Sequence, residues 1–384
     1  MFAPSTAPRY RGQLLGVEVL RFLAALSVLI FHYQHFYRVG QKPVGYVQTE
    51  QPLYGLLGVI YARGSLGVEL FWCLSGFIFF WNYRVLIRDH AVGGWRFLIR
   101  RFSRLYPLHL ATLLLVTALQ AGYAAQHDGQ TFVYGNNDVP HFLLQLAYAG
   151  AWPSAQDLSF NGPTWSVSVE VLVYCGFFLV LRHVSARSVV NVGVVLAWAA
   201  FAHFGVNHPW LDAFAYFYAG GLAAFVLVGV QHTRAERPTL LLAALAVPVG
   251  VVALLQAPVP DALAYIGLAT VTVYIAAAAH VPRKLSRAAQ ALGNLTYSSY
   301  LLHFPVQIAA MTALTAAGWP VPVERVWFLL TYLGVVFMLS ALAFRWLEMP
   351  AQDALRRRFQ PSSTVGLAEP CSRRDVTGDE RSPV

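Results

Sequence analysis

The sequence predicts an all-α integral membrane protein, a bundle of about ten transmembrane helices. Three observations carry this. Apolar residues make up 57% of the 384 and charged residues only 12%, with a mean hydropathy of +0.52. A soluble domain carries about 25% charged residues, so this chain has too few to coat a water-facing surface. The apolar residues also gather into ten runs, each near the roughly 20 residues that a bilayer crossing needs. These are 14–34, 65–82, 105–122, 165–181, 189–205, 211–230, 239–256, 262–280, 295–317 and 326–346. Third, the basic residues alternate. With the N-terminus inside, 21 of the 27 Lys and Arg fall on the inner side. Only Arg38, Lys42, Arg63 and Arg325 fall outside, and Arg21 and Arg345 lie within spans. This is the positive-inside bias, and with an even number of spans it puts both termini in the cytoplasm.

An ordinary soluble enzyme, a disordered regulator and a disulfide scaffold are excluded by this composition. The net charge of +9 and pI near 9.6 reflect loop asymmetry, so no nucleic-acid partner is expected. Cys73 and Cys175 lie in apolar runs and Cys371 in the polar tail, which predicts no structural disulfide. No zinc-ligand spacing occurs. Three regions follow: a cytoplasmic N-terminus (1–13), a membrane domain (14–350) and a cytoplasmic, largely disordered tail (351–384).

The first run is too long for a signal peptide, contains Glu18 and Arg21, and lacks a small-x-small cleavage site, so it is a retained span. Ionisable groups in a span are costly and each is a functional candidate. Arg21 and His32 are eleven residues apart, about three helical turns, so they share a face about 16 Å apart along the axis. Glu18 can pair with Arg21 as an i,i+3 neighbour. The plain alternative is that Arg21 snorkels to headgroups while His32 anchors the opposite interface.

In the second run Gly64, Gly67 and Gly76 permit close helix approach and Ser75 can bond across helices. Glu69 is a carboxylate at lipid depth, with Arg63 as a structural partner. The inner loop before the third run, RRFSRLYPLHL, carries Arg100, Arg101 and Arg104. Guanidinium groups so clustered suit a phosphate-bearing ligand, or anionic lipid. The loop 123–164 lacks Lys and Arg but holds Asp128, Asp138 and Asp157, and its section 141–152 reads as a short interfacial helix. In the fourth run Trp165 is an interface anchor, and Glu170 sits at the depth of His32, where it could orient a His or bond a hydroxyl. Tyr297, Tyr300 and His303 lie on the inner half of the ninth run. His303 reads better as a packed, hydrogen-bonded His than as a catalyst. Glu348 and Pro350 read as a helix-end device, with Glu348 available to an inner Arg.

Taken in order, these segments resemble the acyltransferase-3 family of integral-membrane O-acyltransferases. The resemblance rests on Arg21-x10-His32, GVELFWCLSGF (67–77), RRFSRLYP (100–107), WSVSVEVLVY (165–174), LTYSSYLLHFP (295–305) and LEMP (347–350). It implies a multi-pass protein of the bacterial cytoplasmic (inner) membrane. It also implies a cytoplasmic acyl-CoA donor, acetyl-CoA above all, and no permanently bound cofactor or metal. The acceptor would be a hydroxyl of a glycan, glycolipid or glycosylated metabolite. Some relatives carry a fused extracytoplasmic serine-esterase-like (SGNH) domain, which is not expected here. Transfer is then completed in the membrane domain or handed to a separate extracytoplasmic acyltransferase.

On this reading Arg100, Arg101 and Arg104 dock the CoA phosphates, and Arg21 holds the donor or the developing oxyanion. His32 takes the acceptor hydroxyl proton, oriented by Glu170. A covalent acyl-His32 relay is the competing chemistry. A multispan transporter or flippase for an anionic or glycolipid substrate is the competing function, but no internal repeat of the transporter kind is present. Reporter fusions after residues 90, 185, 235, 285 and 360 should read cytoplasmic, and fusions near 45 and 140 external. An external C-terminus would overturn the even span number.

Overall fold

The structure, a computed structural model, describes residues 14–152, 158–256 and 262–359. The expected N-terminal region 1–13, Asp157, Cys371 and positions 360–384 of the expected tail lie outside the described residues. α1 (Leu15–Phe31) tightens into a 3-10 segment, His32–Tyr37, followed by a hairpin of two-residue strands, Arg38–Val39 and Lys42–Pro43. α2 (Tyr54–Arg63) leads through a 3-10 turn, Gly64–Leu66, into α3 (Gly67–Arg88). Then come α4 (Gly94–Gln126), the short α5 (Val139–Leu146), α6 (Trp165–His183), α7 (Ser188–His203) and α8 (Pro209–Val230). The chain continues with α9 (Glu236–Gln256), α10 (Ala262–Ala278), α11 (Arg283–Ala316) and α12 (Val326–Ala343). A π-helical turn, Phe344–Glu348, joins α12 to α13 (Met349–Phe359).

Each of the ten apolar runs coincides with a helix, yet the count of ten crossings is not established. Among the described residues, six helical stretches are long and apolar enough to cross a membrane: Leu15–Tyr37, Tyr54–Arg88, Gly94–Ala124, Gly162–His183, Pro209–Val230 and Val326–Phe359. α7 and α10 are apolar but shorter. α11 is long but polar through its first third, RKLSRAAQALGN. The protein is a multi-pass helical membrane protein.

Three expected boundaries move. α4 begins at Gly94 and α11 at Arg283, eleven and twelve residues before the runs at 105 and 295. The arginine-rich segment 100–107 is therefore helix, not loop, with Pro107 inside it. Pro350 does not end the last helix but sits in the first turn of α13, so residues 351–359 of the expected tail are helical. The short helix expected at 141–152 is found as α5, which starts two residues earlier and ends six residues earlier. It is capped by Asp138, whose carboxylate accepts the His141 N–H.

α3 is the central helix, packed against α1, α6, α8 and α10. Its pairing with α8 depends on two glycines facing opposite backbones. A Cβ on Gly76 would stand 1.7 Å from the Phe217 carbonyl oxygen, and one on Gly220 1.8 Å from that of Cys73. Between apolar helices in lipid, such backbone contact supplies the attraction that the hydrophobic effect supplies in water. α1 meets α3 at Gly67 and α11 at Gly293, where a Cβ would meet Ala24 and Glu18 at 2.7 and 2.0 Å. Cys73 is buried and Cys175 exposed, and both are free thiols.

Gly76→Ala should lower the thermal unfolding midpoint of the detergent-solubilised protein, because overpacking costs about 1–3 kcal/mol or more and here the obstacle is backbone. Gly334→Ala in α12, with nothing within 4 Å of its Cβ position, should not lower it. Equal midpoints would remove the α3–α8 glycines as a packing determinant.

Candidate functional site

Four of the long helices and α1 enclose a cavity of about 110 Å³. A cavity needs only about 10–15 Å³ by this measure to hold one water, so this one has room for a ligand group. α1 contributes Arg21, α4 contributes Arg101 and Arg104, α3 and α6 contribute Ser75 and Glu170, and α11 contributes Tyr297 and Tyr300. Arg21 pairs with Glu18 at 2.9 Å, as their spacing predicts. Arg101 donates to the Tyr83 hydroxyl at 2.6 Å, and its guanidinium lies over the Phe79 and Tyr83 rings at 4.5 and 5.1 Å. Its Nε is buried with no hydrogen-bond partner among the described residues. Arg104 is the most exposed of the three and lies within electrostatic reach of Arg21, Arg101 and Glu18. Helical spacing explains the grouping: Arg101 and Arg104 are i,i+3 neighbours and face the same way. Arg100 also reaches Tyr83 but does not line the cavity.

Ser75 bonds across helices to Glu170, which also neighbours Tyr174, Arg21 and Arg101. Glu170 thus stands within reach of both the arginines and Tyr300, and is not the partner of His32. The pairing expected from a shared depth fails because Glu170 lies more than a turn inside α6 while His32 lies past the end of α1. Glu348 also turns inward: the π-helical turn brings it against Ser298, near Arg104, so its expected role as a helix-end device is replaced by a buried contact with α11.

At the other end the cavity is closed by Tyr300. Its hydroxyl bonds Ser166 Oγ at 2.7 Å and the Pro163 carbonyl at 2.8 Å. Behind it, 5.8 Å between ring centroids, is His303. The Nδ1–H of His303 donates to the Tyr300 carbonyl at 2.7 Å, and His303 Nε2 faces His32 Nδ1 at 3.0 Å. A carbonyl only accepts, so neutral His303 carries its proton on Nδ1 and accepts at Nε2. His32 must then carry its proton on Nδ1, which leaves the lone pair on its Nε2. The rings of His32 and His303 stack at 5.0 Å, and His35 stacks on His32 at 4.8 Å. Gln307 holds this group, accepting from His35 at 3.0 Å and donating to the His32 carbonyl at 2.9 Å. His303 therefore belongs with His32 near the far end of α1, and not on the half of α11 that meets the arginines. The earlier start of α11 accounts for the displacement.

Pro305 removes the N–H that the Leu301 carbonyl would accept in an unbroken helix. The Asn161 side chain donates to that carbonyl instead, at 3.0 Å. The segment 161–166 is thereby fastened to α11 at Leu301 and, through Pro163 and Ser166, at Tyr300. Trp165, expected as an interface anchor, is only half exposed and packs edge-on against Trp72 at 5.7 Å. Glu69 lies off the cavity, with a buried Oε2 that has no hydrogen-bond partner among the described residues.

Several lining residues escaped the sequence reading: Trp72, Ser166, Tyr174, and behind the cavity Gln307. Each stands three or four residues from a polar residue that was singled out (Ser75, Glu170, Glu170 and His303), so helical spacing was the available signal. Among the described residues no group of His, Cys, Asp or Glu could hold a metal ion.

The arrangement defines a class: a multi-pass membrane protein with a cationic cavity at one end and a hydrogen-bonded histidine pair just beyond the other. The acyltransferase-domain family, acyltransferase 3, matches residues 14–345, and the chain belongs to it. Acyltransferase MdmB of Streptomyces mycarofaciens is 31% identical over 165 residues, which are 42% of this chain and 38% of that protein. The match thus spans well under half of that relative's length. No solved structure matches the chain.

His303→Leu would leave the His32 Nδ1–H without its acceptor, at a cost of about 1–3 kcal/mol if that donor is shut off from water. His303→Gln keeps an acceptor oxygen. The thermal midpoint should fall for Leu and recover for Gln, and equal falls would remove this hydrogen bond as the reason for the pairing.

Proposed function

We propose that the protein is a membrane O-acyltransferase that moves an acyl group, most simply acetyl, from cytoplasmic acyl-CoA to a hydroxyl of a sugar, glycan or glycosylated lipid or metabolite. The observation that carries this reading is the ordering along one path: three guanidinium groups, then a cavity, then Tyr300, then a histidine whose Nε2 holds a lone pair. Family membership supports acyl transfer, and the named relative is an acyltransferase. The cytoplasmic side of the bacterial inner membrane is the proposed position of the arginine end, in keeping with the positive-inside bias.

CoA phosphates would meet Arg101 and Arg104, the orphaned Arg101 Nε–H offering a donor that no protein group uses. Arg21, held by Glu18, would face the thioester oxygen as negative charge develops on it. The acceptor oxygen attacks the thioester carbonyl carbon, and His32 Nε2 removes the hydroxyl proton. As the tetrahedral species collapses the carbon–sulfur bond breaks, and the proton ends on the CoA thiolate. The products are the ester and free CoA. Tyr300 stands between cavity and histidine, so its bonds to Ser166 and Pro163 must open for the two halves to meet. His303 fixes the tautomer this role requires, a task first expected of Glu170.

The purified protein should consume acetyl-CoA in the presence of a suitable glycan acceptor. His32→Gln should lower that rate by about 10²–10⁴, the usual cost of losing a general base. Arg101→Ala and Arg104→Ala should each weaken acyl-CoA binding by about ten- to a hundredfold, since a hydrogen bond to a charged group contributes about 1.5–3 kcal/mol. Near-normal turnover by His32→Gln would remove His32 from the mechanism. A protein that moves labelled glycolipid between leaflets without touching acyl-CoA would support a flippase instead.

A further inference from the structure

We propose that the end of the cavity nearest Tyr300 is an acyl pocket whose aromatic wall, Phe71 and Trp72, restricts the donor to short acyl groups of about two to four carbons. The inference rests on the acyl-CoA reading above and specifies which donors the site takes.

The cavity changes chemistry along its length. All three guanidinium groups that line it lie at one end, and Ser75 and Glu170 mark its waist. Beyond the waist, α3 presents Trp72, Phe71 and Val68 at three, four and seven residues before Ser75, while α6 presents Val167 three residues before Glu170. At 1.5 Å per residue this half extends about 5–10 Å. It contains no charged side chain, and its polar groups are turned to their own partners. The Tyr300 and Ser166 hydroxyls bond each other and the Pro163 carbonyl. The Trp72 indole N–H is directed at the Ser166 carbonyl, 3.4 Å away. What faces the cavity is ring and aliphatic surface, which favours a hydrocarbon chain over water or a phosphate.

Two features limit how far this end can yield to a longer chain. Trp72 is 3% exposed and wedged edge-on against Trp165. The Phe71 ring packs edge-on against the Tyr300 ring at 6.1 Å. Phe71 cannot retreat without displacing Tyr300, whose hydroxyl is bonded to Ser166 and Pro163, and Trp72 cannot without displacing the Trp165 ring. The same cavity must also admit the thioester sulfur and carbonyl. A methylene too many in an apolar pocket of fixed shape changes selection by about 10- to 200-fold.

Binding of CoA, acetyl-CoA, butyryl-CoA and octanoyl-CoA to the full chain in nanodiscs tests this without knowledge of the acceptor. The wild type should bind acetyl- and butyryl-CoA at least tenfold more tightly than octanoyl-CoA. Phe71→Ala and Trp72→Leu should each tighten octanoyl-CoA binding at least tenfold relative to acetyl-CoA. CoA binding serves as the check that each variant is folded, and Phe71→Ala is the milder change should Trp72→Leu fail that check. Val167→Phe, which fills the same space, should weaken butyryl-CoA more than acetyl-CoA. Equal affinity for all chain lengths in a wild type that binds CoA would overturn the pocket and leave the donor reading standing. An unchanged length profile in a folded Phe71→Ala variant would do the same. Failure of the wild type to bind CoA or any acyl-CoA would overturn the donor reading itself.

Discussion

Arg21, Arg101 and Arg104 come together within a bundle of predominantly apolar helices. Three like charges in such surroundings are tolerated only if desolvation is offset by counter-charge and hydrogen bonds. Glu18 supplies an ion pair to Arg21, Tyr83 and two aromatic faces hold Arg101, and Glu170 and Glu348 stand nearby. Much of the helix arrangement serves these contacts. α1 lies close enough to α11 that Gly293 touches the Glu18 carboxylate. α4 extends three turns beyond its apolar run to carry its arginines inward. The last helix adopts a π turn that buries Glu348 against Ser298.

At the other end the design is one of neutral hydrogen bonds. The histidines form a chain in which each ring nitrogen that touches protein has a defined role, beginning from a backbone carbonyl that can only accept. Pro305 opens a vacancy at the Leu301 carbonyl, and Asn161 fills it with a side chain from a connecting segment. A break in helical hydrogen bonding thus becomes an attachment point. The same connecting segment supplies Pro163 and Ser166 to the Tyr300 hydroxyl, so the barrier between cavity and histidines is set by residues 161–166 as much as by α11.

The two ends depend on helices brought to contact distance by small residues. Gly76 and Gly220 let α3 and α8 touch backbone to backbone, which places Phe71, Trp72 and Ser75 of α3 at a fixed depth. Bulk at either glycine would displace the wall of the cavity before it reached any charged group. Packing and site are therefore not separable in α3: one face touches α8 and the other lines the cavity.

The helical membrane class was written in composition and run length, because lipid admits few other ways of satisfying the backbone. The Glu18–Arg21 pair and the grouping of Arg101 with Arg104 were legible too, since both are local consequences of 3.6 residues per turn. Which helix faces which was not legible. Glu170 looked able to meet His32, whereas His303, placed on the inner half of its run, did not. The reversal came from where α11 starts and from the Tyr300 ring that stands between Glu170 and the histidines. Arg100 could not be separated from its neighbours until α4 proved helical through that segment and left it out of the cavity lining. Sequence periodicity fixes the face of a side chain on its own helix. The partner across the gap, and hence the cavity and the tautomer of His32, was decided by rotation and translation of whole helices, which no local pattern encodes.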